Sequence, residues 1–485
     1  MRLSNIIQSV LSVAALSNIA IAADSNSTSN STAPITIDGN AFYNSATKER
    51  FYIRGVDYQP GGSSNLTDPL ADADICGRDV PVFKDLGINT VRVYTVDNSL
   101  DHTECMKLLS DAGIYLILDV NTPTSAISRL NPSCSYNADY LQNVFATIDT
   151  FATYDNVLGF FAGNEVINSD NTTNTATYVK AVVRDMKKYI KARNYRTIPV
   201  GYSAADIVAN RALSAQYFNC GDDADARIDM FGVNDYSWCG PSSFGVSGYA
   251  TKMQLYKNYS IPIFLSEFGC NKVVSNRPFT EIESIYSTQM SSVFSGGLVY
   301  EYSNETNNYG LVKIDSDGTS VTKLTDYENL KSEYAKVSNP TGDGGAYAGN
   351  DYSTCPDYEK DTWEANNTLP DMPTAASAYF KSGAGEPMGT FISTQNSCHD
   401  DDDDDIVSLS SVASSSSSTV ESSSSSEAES TSTSSTTTMS SSTVASSTSS
   451  SSSKSSKSKH SKGAAGTLEI PAIFQLLSQT FGYIL

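Results

Sequence analysis

The sequence predicts an α/β fold, a closed (β/α)8 TIM barrel, followed by a disulfide-stapled extension and a disordered serine-rich stalk. Two observations carry the barrel. From Phe51 to Tyr302, apolar runs of strand length alternate with helix-like segments, as parallel βα units require. Eight such runs fall within roughly 250 residues, the usual count and span of the closed barrel. A third observation gives the barrel a working end. The run Phe160–Ala162 passes through Gly163 into Asn164 and Glu165, and the run Ile261–Ser266 ends at Glu267. In one parallel barrel both strand ends open on the same face, where the two carboxyl groups meet across a cleft.

Taken in order, the chain begins with Met1-Arg2 and an apolar stretch, Ile6 to Ile21, that closes on the small-x-small site Ala20-Ile21-Ala22. Residues 1–22 therefore read as a secretory signal peptide. The polar residues that follow, Asp24 to Thr32, oppose a core helix there and carry sequons at Asn26 and Asn30; others stand at Asn65, Asn171, Asn258, Asn304 and Asn366. The barrel domain, 23–340, holds the strand-like runs Phe51–Val56, Thr90–Tyr94, Ile114–Leu118, Val157–Ala162, Ile198–Gly201, Met230–Val233, Ile261–Ser266 and Gly297–Tyr302. Between them, Val80–Leu86, Met106–Ala112, Tyr140–Phe151, Tyr178–Ala192 and Ile282–Phe294 have the apolar spacing of amphipathic helices. An open doubly wound sheet is the competing arrangement, but no Gly-rich phosphate loop follows the first strand.

Residues 341–405 form an extension rich in Gly, Tyr and Asn, with an acidic end at Asp400–Asp405. It contains Cys355 and Cys398, too few cysteines for a separate disulfide-dense module, so it is expected to pack back on the barrel. Residues 406–462 are almost entirely serine and threonine, and such a segment cannot bury enough apolar area to offset the entropy of ordering it. An extended, O-glycosylated stalk is the expectation. In 463–485, Gly463-Ala464-Ala465, a short spacer to Glu469 and the apolar tail Ile470–Leu485 have the layout of a GPI-attachment signal, with Gly463 as the attachment residue. The tail is short and interrupted by Gln475, Ser478 and Gln479, which opposes a membrane span.

The formal charge of −22 argues against a nucleic-acid partner, which needs a basic footprint. Eight cysteines behind a signal peptide are expected to form disulfides, and none has zinc spacing. The chemistry then rests on the two glutamates. In a retaining glycosidase one carboxylic acid protonates the leaving oxygen while the other, roughly 5 Å away, attacks the sugar carbon. Glu165 suits the acid, with Asn164 placed to bond a sugar 2-hydroxyl; Glu267 suits the nucleophile if donors hold it ionised. Other polar residues recur at strand ends: Asp57 to Gln59, Arg92 and Tyr94, Asp119 and Asn121, Asp206 and Arg211, Asn234 to Trp238, Glu301 and Tyr302. Tyr94, Tyr236, Trp238 and Tyr302 have rings suited to stacking on pyranose faces.

Several long motifs in register, Gly55-Val56-Asp57-Tyr58-Gln59-Pro60-Gly61-Gly62, Val91-Arg92-Val93-Tyr94, Asn164-Glu165, Asp235-Tyr236-Ser237-Trp238-Cys239, Ser266-Glu267-Phe268-Gly269-Cys270 and Asn308-Tyr309-Gly310-Leu311-Val312, resemble the fungal cell-wall β-1,3-glucanosyltransferases of the Gas/Gel type. The resemblance runs from about Ile35 to Cys398. It implies a GPI-anchored retaining transglycosylase of the plasma-membrane surface and cell wall. Such an enzyme cuts inside a β-1,3-glucan donor, holds the new reducing end on Glu267, and passes it to the non-reducing end of an acceptor glucan, with Glu165 as acid and then base. It further implies Tyr94, Asn164, Asp206, Arg211 and Tyr302 as glucan contacts, and less directly Gln59, Asp119 and Tyr236. No metal or organic cofactor is implied. The family's disulfides map onto Cys76 with Cys105, Cys220 with Cys355 and Cys239 with Cys270, which leaves Cys134 and Cys398. Some relatives add a cysteine-rich glucan-binding module, for which this chain lacks the cysteines. A tethered monomer is the simplest expectation. Two further readings stay open at the level of sequence: a secreted β-1,3-glucan hydrolase sharing every catalytic residue, and a wall mannoprotein that binds glucan without catalysis.

Overall fold

Residues buried on both faces make strands that need cover on both sides, and these runs have it. Tyr115–Asp119 and Ile263–Cys270 are buried at every position, as the strands of a parallel barrel are. The computed structural model describes residues 32–273, 275–390 and 392–395. The segments read as signal peptide, stalk and anchor signal, Gly463 among them, and Cys398 lie outside the described residues.

A small antiparallel sheet comes first: β1 (Ile35–Asp38), β2 (Ala41–Asn44) and β3 (Arg50–Phe51). The barrel strands are β4 (Ile53–Asp57), β5 (Thr90–Val93), β6 (Tyr115–Asp119), β7 (Val157–Asn164), β8 (Val200–Ala205), β9 (Met230–Cys239), β10 (Ile263–Cys270) and β11 (Phe294–Val299). Each pairs in parallel with the next, and β11 closes on β4. Ile35 and Phe42 of the small sheet join Ile53, Tyr115, Ile117, Leu158, Phe161, Met230, Phe264 and Leu298 in one buried cluster, separate from the larger helix-facing core. The rings fit because neighbouring strands place glycine beside them. A Cβ at Gly201 would lie 2.6 Å from Met230 Cγ, and one at Gly232 would lie 2.9 Å from the Phe161 ring. A packed interior below and open loops above confine the chemistry to the C-terminal ends of the strands.

The helices Ala73–Leu86, Thr103–Asp111, Ala138–Phe151 and Ala176–Ala192 cover the expected segments and start earlier than the apolar spacing suggests. Caps explain two of these starts. Asp72 accepts from the backbone N–H of Asp74 and Ile75, and Asn137 from that of Tyr140. The helix expected over Ile282–Phe294 is a correction: it spans only Glu281–Ile285, and β11 has begun by Phe294. Ser287 intervenes, its hydroxyl donating to Ser284 O and accepting from Met290 N, so a side chain takes over backbone partners.

The extension runs around the outside of the barrel. Near its start, Tyr347 O accepts from Asn40 N and Tyr347 N donates to Asn40 Oδ1 beside β2. Cys355 is bonded to Cys220, and Trp363 is fully buried with its ring 5.5 Å from that of Tyr217. Phe380 packs at 5.8 Å from both Phe145 and Tyr189. Thr394 N finally donates to Thr124 O in the loop after β6. Bridges also join Cys76 to Cys105 and Cys239 to Cys270, the latter between β9 and β10; Cys134 is disulfide-bonded as well.

Truncating the buried indole by Trp363→Ala is expected to destabilise the protein by about 3–5 kcal/mol, the range for a large buried aromatic. Chemical denaturation measures this. An unchanged midpoint would mean that the extension merely lies on the barrel.

Candidate active site

One buried cation organises the mouth. Arg92 leaves β5 with no exposed surface, and its Nε and Nη2 donate to the two oxygens of Asp119 at 3.0 and 2.9 Å. This bidentate pair fixes the guanidinium plane and leaves Nη1 to reach across to Ser266 O and Glu267 Oε1, both at 3.3 Å. The rings of Tyr94 and Phe161 lie 4.2 and 4.9 Å from the guanidinium carbon.

Glu267, from β10, is 8% exposed and accepts two shorter bonds, from Tyr94 OH to Oε1 at 2.8 Å and from Tyr236 OH to Oε2 at 2.7 Å. Burial pushes this carboxyl up to about 7; Arg92 pulls it down, Glu165 pushes it up, and the bonds from Tyr236 and Tyr94 pull it down. The donors expected for an ionised nucleophile are therefore present, but in the free protein burial outweighs them.

Glu165 follows β7 in a left-handed backbone conformation, with φ 47°. Such a conformation in a non-glycine residue persists only when its surroundings hold it, and here they do. Its N–H donates to Ser203 O at 2.8 Å, its carbonyl accepts from Arg129 Nη2 at 2.6 Å, and Oε1 accepts from Asn234 Nδ2 at 2.9 Å. Arg129 Nε also donates to the next carbonyl, that of Val166. Asn234 stands in register with Glu267, and the same Nδ2 donates to Asn164 Oδ1 at 3.1 Å. Asn234 Oδ1 in turn accepts from Ser203 and Ser266, so one amide links the ends of β7, β8 and β10.

The mouth thus collects Glu165, Glu267, Asn164, Tyr94 and Tyr236. Gln59 and Asp119 support it from behind. The Gln59 Oε1 accepts from the N–H groups of Tyr94 and Thr95 and its Nε2 donates to Thr67 O, while both Asp119 oxygens are taken by Arg92. Gln59 positions the Tyr94 backbone, and Asp119 positions the guanidinium. Asp206 and Arg211 pair with each other at 2.9 Å, and Lys252 bridges Asp206 to Asp235.

Tyr302 is a correction. Its side chain is fully buried outside the mouth, with its OH donating to Asp79 and its ring 5.3 Å from Tyr58 and 4.9 Å from Phe83. The cause is register: the last strand ends at Val299, not Tyr302, so the chain has turned away by that point. Trp238 is likewise committed to packing, on Tyr249 and with its Nε1 donating to Thr280. The rings that do join Tyr94 and Tyr236 are Tyr300 and Tyr309, with Tyr236 to Tyr309 at 5.6 Å and Tyr300 to Tyr309 at 5.4 Å. Sequence pattern singles out neither, although Tyr309 lies within the motif Asn308–Val312 and Tyr300 only two residues from Tyr302.

Paired carboxyl groups, an asparagine beside one of them and an aromatic wall suit a polyhydroxylated substrate. Comparison with known proteins agrees. Residues 24–338 match the family described as glucanosyltransferase. The chain is 81% identical over 377 residues to the 1,3-beta-glucanosyltransferase GAS5 of Saccharomyces cerevisiae, covering 78% of each protein. It is 58% identical over 359 residues to the 1,3-beta-glucanosyltransferase PGA4 of Candida albicans, covering 74% of this chain and 78% of that one. Among solved structures, a glutamate-to-glutamine mutant of Saccharomyces cerevisiae Gas2p in complex with laminaritetraose and laminaripentaose superimposes with a TM-score of 0.65 at 42% identity, covering 70% of this chain and 75% of that one. The chain belongs to the glucanosyltransferase family.

Proposed function

We propose that this protein is a retaining β-1,3-glucanosyltransferase that cleaves β-1,3-glucan internally and transfers the new reducing end to the non-reducing end of a second glucan. The observation that carries the reading is the set of three donors on Glu267 facing a separately held Glu165. Glu267 attacks the anomeric carbon, the glycosidic bond breaks, and Glu165 gives its proton to the leaving oxygen. Glu165 then takes a proton from an acceptor hydroxyl, which displaces Glu267 and restores a β linkage.

Asn164 has its Oδ1 occupied by Asn234, which leaves its NH2 group to donate to the sugar 2-hydroxyl. Tyr94 and Tyr236 keep the nucleophile oriented, and with Tyr300 and Tyr309 offer apolar surface to pyranose rings. Asp206 and Arg211 belong to this reading as glucan contacts at the β8 end. The wider setting rests on sequence: secretion, a lipid anchor at Gly463 beyond the serine-rich stalk, and action as a monomer at the outer face of the plasma membrane and in the cell wall.

Two expected outcomes test this reading. Glu165→Gln and Glu267→Gln each lower turnover of a β-1,3-gluco-oligosaccharide by about 10²–10⁴-fold or more while the melting temperature is kept. A folded variant with normal turnover would remove that residue from the chemistry. The second outcome is in the pH profile. A nucleophile must be ionised, so kcat/KM falls on the acid side as Glu267 takes up its proton. The Tyr236 hydroxyl lowers the Glu267 pKa; Tyr236→Phe is therefore expected to move that acid limb to higher pH, by about one pH unit for a bond to a charged group. A limb that stays in place would contradict the assignment of Glu267.

A further inference from the structure

Asp57 ends β4 in the barrel mouth, and the chemistry above leaves it without a role. Its side chain is fully buried, and neither carboxyl oxygen has a hydrogen-bond partner among the described residues. Oδ1 lies 3.9 Å from Arg92 Nη1, the same nitrogen that lies 3.3 Å from Glu267 Oε1. The charged and titratable groups that face it come from every side: Arg92 from β5, Asp119 from β6, Glu267 from β10, Glu301 beyond β11, and the hydroxyls of Tyr94 and Tyr300.

Charge counting decides the state of this group. Asp119 occupies one edge of the Arg92 guanidinium with both its oxygens. One nitrogen then remains for two carboxyl groups. Ionising both would leave an unpaired buried charge, which is far more costly than a buried neutral acid. Glu267 has two tyrosine hydroxyls as additional donors and Asp57 has none among the described residues, so Glu267 is the better carboxylate and Asp57 the better acid. In agreement, burial pushes Asp57 well above the usual carboxylate range; Arg92 pulls it down, and Glu267, Asp119 and Glu301 push it further up.

We propose that Asp57 is a charge-compensating positioning residue, a neutral acid while Glu267 is a free carboxylate and a carboxylate paired with Arg92 while Glu267 is held as its glycosyl ester. The inference rests on the transfer mechanism above. Forming the ester breaks the bond from the anomeric carbon to its leaving oxygen, makes one to a Glu267 oxygen, and moves the Glu165 proton to the leaving group. Glu267 loses its negative charge, so the Asp57 proton passes to solvent and Asp57 gains one. Arg92, Asp119, Glu267 and Asp57 together then carry one net negative charge before and after, while Glu165, held by Asn234 rather than by Arg92, becomes a carboxylate as it gives up its proton. Attack by the acceptor reverses both changes, and Asp57 recovers a proton from solvent.

Proton release during trapping tests this. A 2-deoxy-2-fluoro β-1,3-gluco-oligosaccharyl fluoride, added to the Glu165→Gln protein, forms the ester with fluoride as leaving group and no proton from residue 165. Measured at a pH well above 7, where Glu267 starts as the carboxylate, about one proton per ester is expected to appear in solution, and about none in Glu165→Gln with Asp57→Asn. Equal release from the two proteins would overturn the inference by placing the released proton on a group other than Asp57. If mass spectrometry finds no sugar on Glu267, the transfer mechanism falls and the inference with it; sugar on Glu267 without proton release overturns the inference alone. Infrared difference spectra of the Glu165→Gln protein carrying isotopically labelled aspartate need no change at Asp57. Loss of a protonated-aspartate carbonyl band on trapping is expected, and an unchanged band would contradict the proposal.

Discussion

The Arg92 guanidinium is the constraint on which the site depends. A cation with no exposed surface survives only if its partners are in place, and these come from two other strands. Asp119 orients it from β6, and Glu267 and Ser266 O receive it from β10. Because these strands are locked into a closed ladder, the guanidinium and the Glu267 carboxyl are held in register with each other. Preorganised charge of this kind needs no rearrangement when the reaction redistributes charge. Glu165 is held by other means, a left-handed backbone gripped by Ser203 and Arg129 and a carboxyl that accepts from Asn234. One carboxyl is thus placed by charge and the other largely by backbone geometry.

Much of this was legible in the sequence because it depends on local pattern. All eight strands could be located from apolar runs, and both glutamates from their places after two of them. Strand ends are less visible in the sequence. The apolar run of β9 stops at Val233 but the strand continues to Cys239, since Asn234 to Cys239 are too polar to read as strand yet extend the ladder. At the last strand the apolar run continues past Val299, where the strand ends, and so points to Tyr302 for the place in the mouth that Tyr300 occupies. Arg129 was beyond reach because its partners lie 36 and 37 residues downstream, and an arginine in a loop carries no sign of the carbonyls it will meet. The short helix at Glu281–Ile285 failed for a related reason: apolar spacing continues past Ile285, but a serine hydroxyl takes over the backbone groups.

The extension adds to the barrel what sequence composition concealed. Its Gly, Tyr and Asn content reads as loop, yet it carries Trp363, Tyr379 and Phe380 to apolar surface left by the barrel helices. The Cys220–Cys355 bridge and the bonds from Thr394 to Thr124 and Ser125 tie it at widely separated points, the last beside the loop that supplies Arg129. Its path therefore links the base of the barrel to the rim of the site.

The most direct measurement is the product distribution formed when the protein, truncated after residue 405, is incubated with a reduced β-1,3-gluco-oligosaccharide. Products longer than the starting chain are the predicted result, because the ester on Glu267 is resolved by a second sugar. Only shorter products would mean that water resolves it and would contradict transfer as the function, and an unchanged substrate would contradict catalysis by Glu165 and Glu267 altogether.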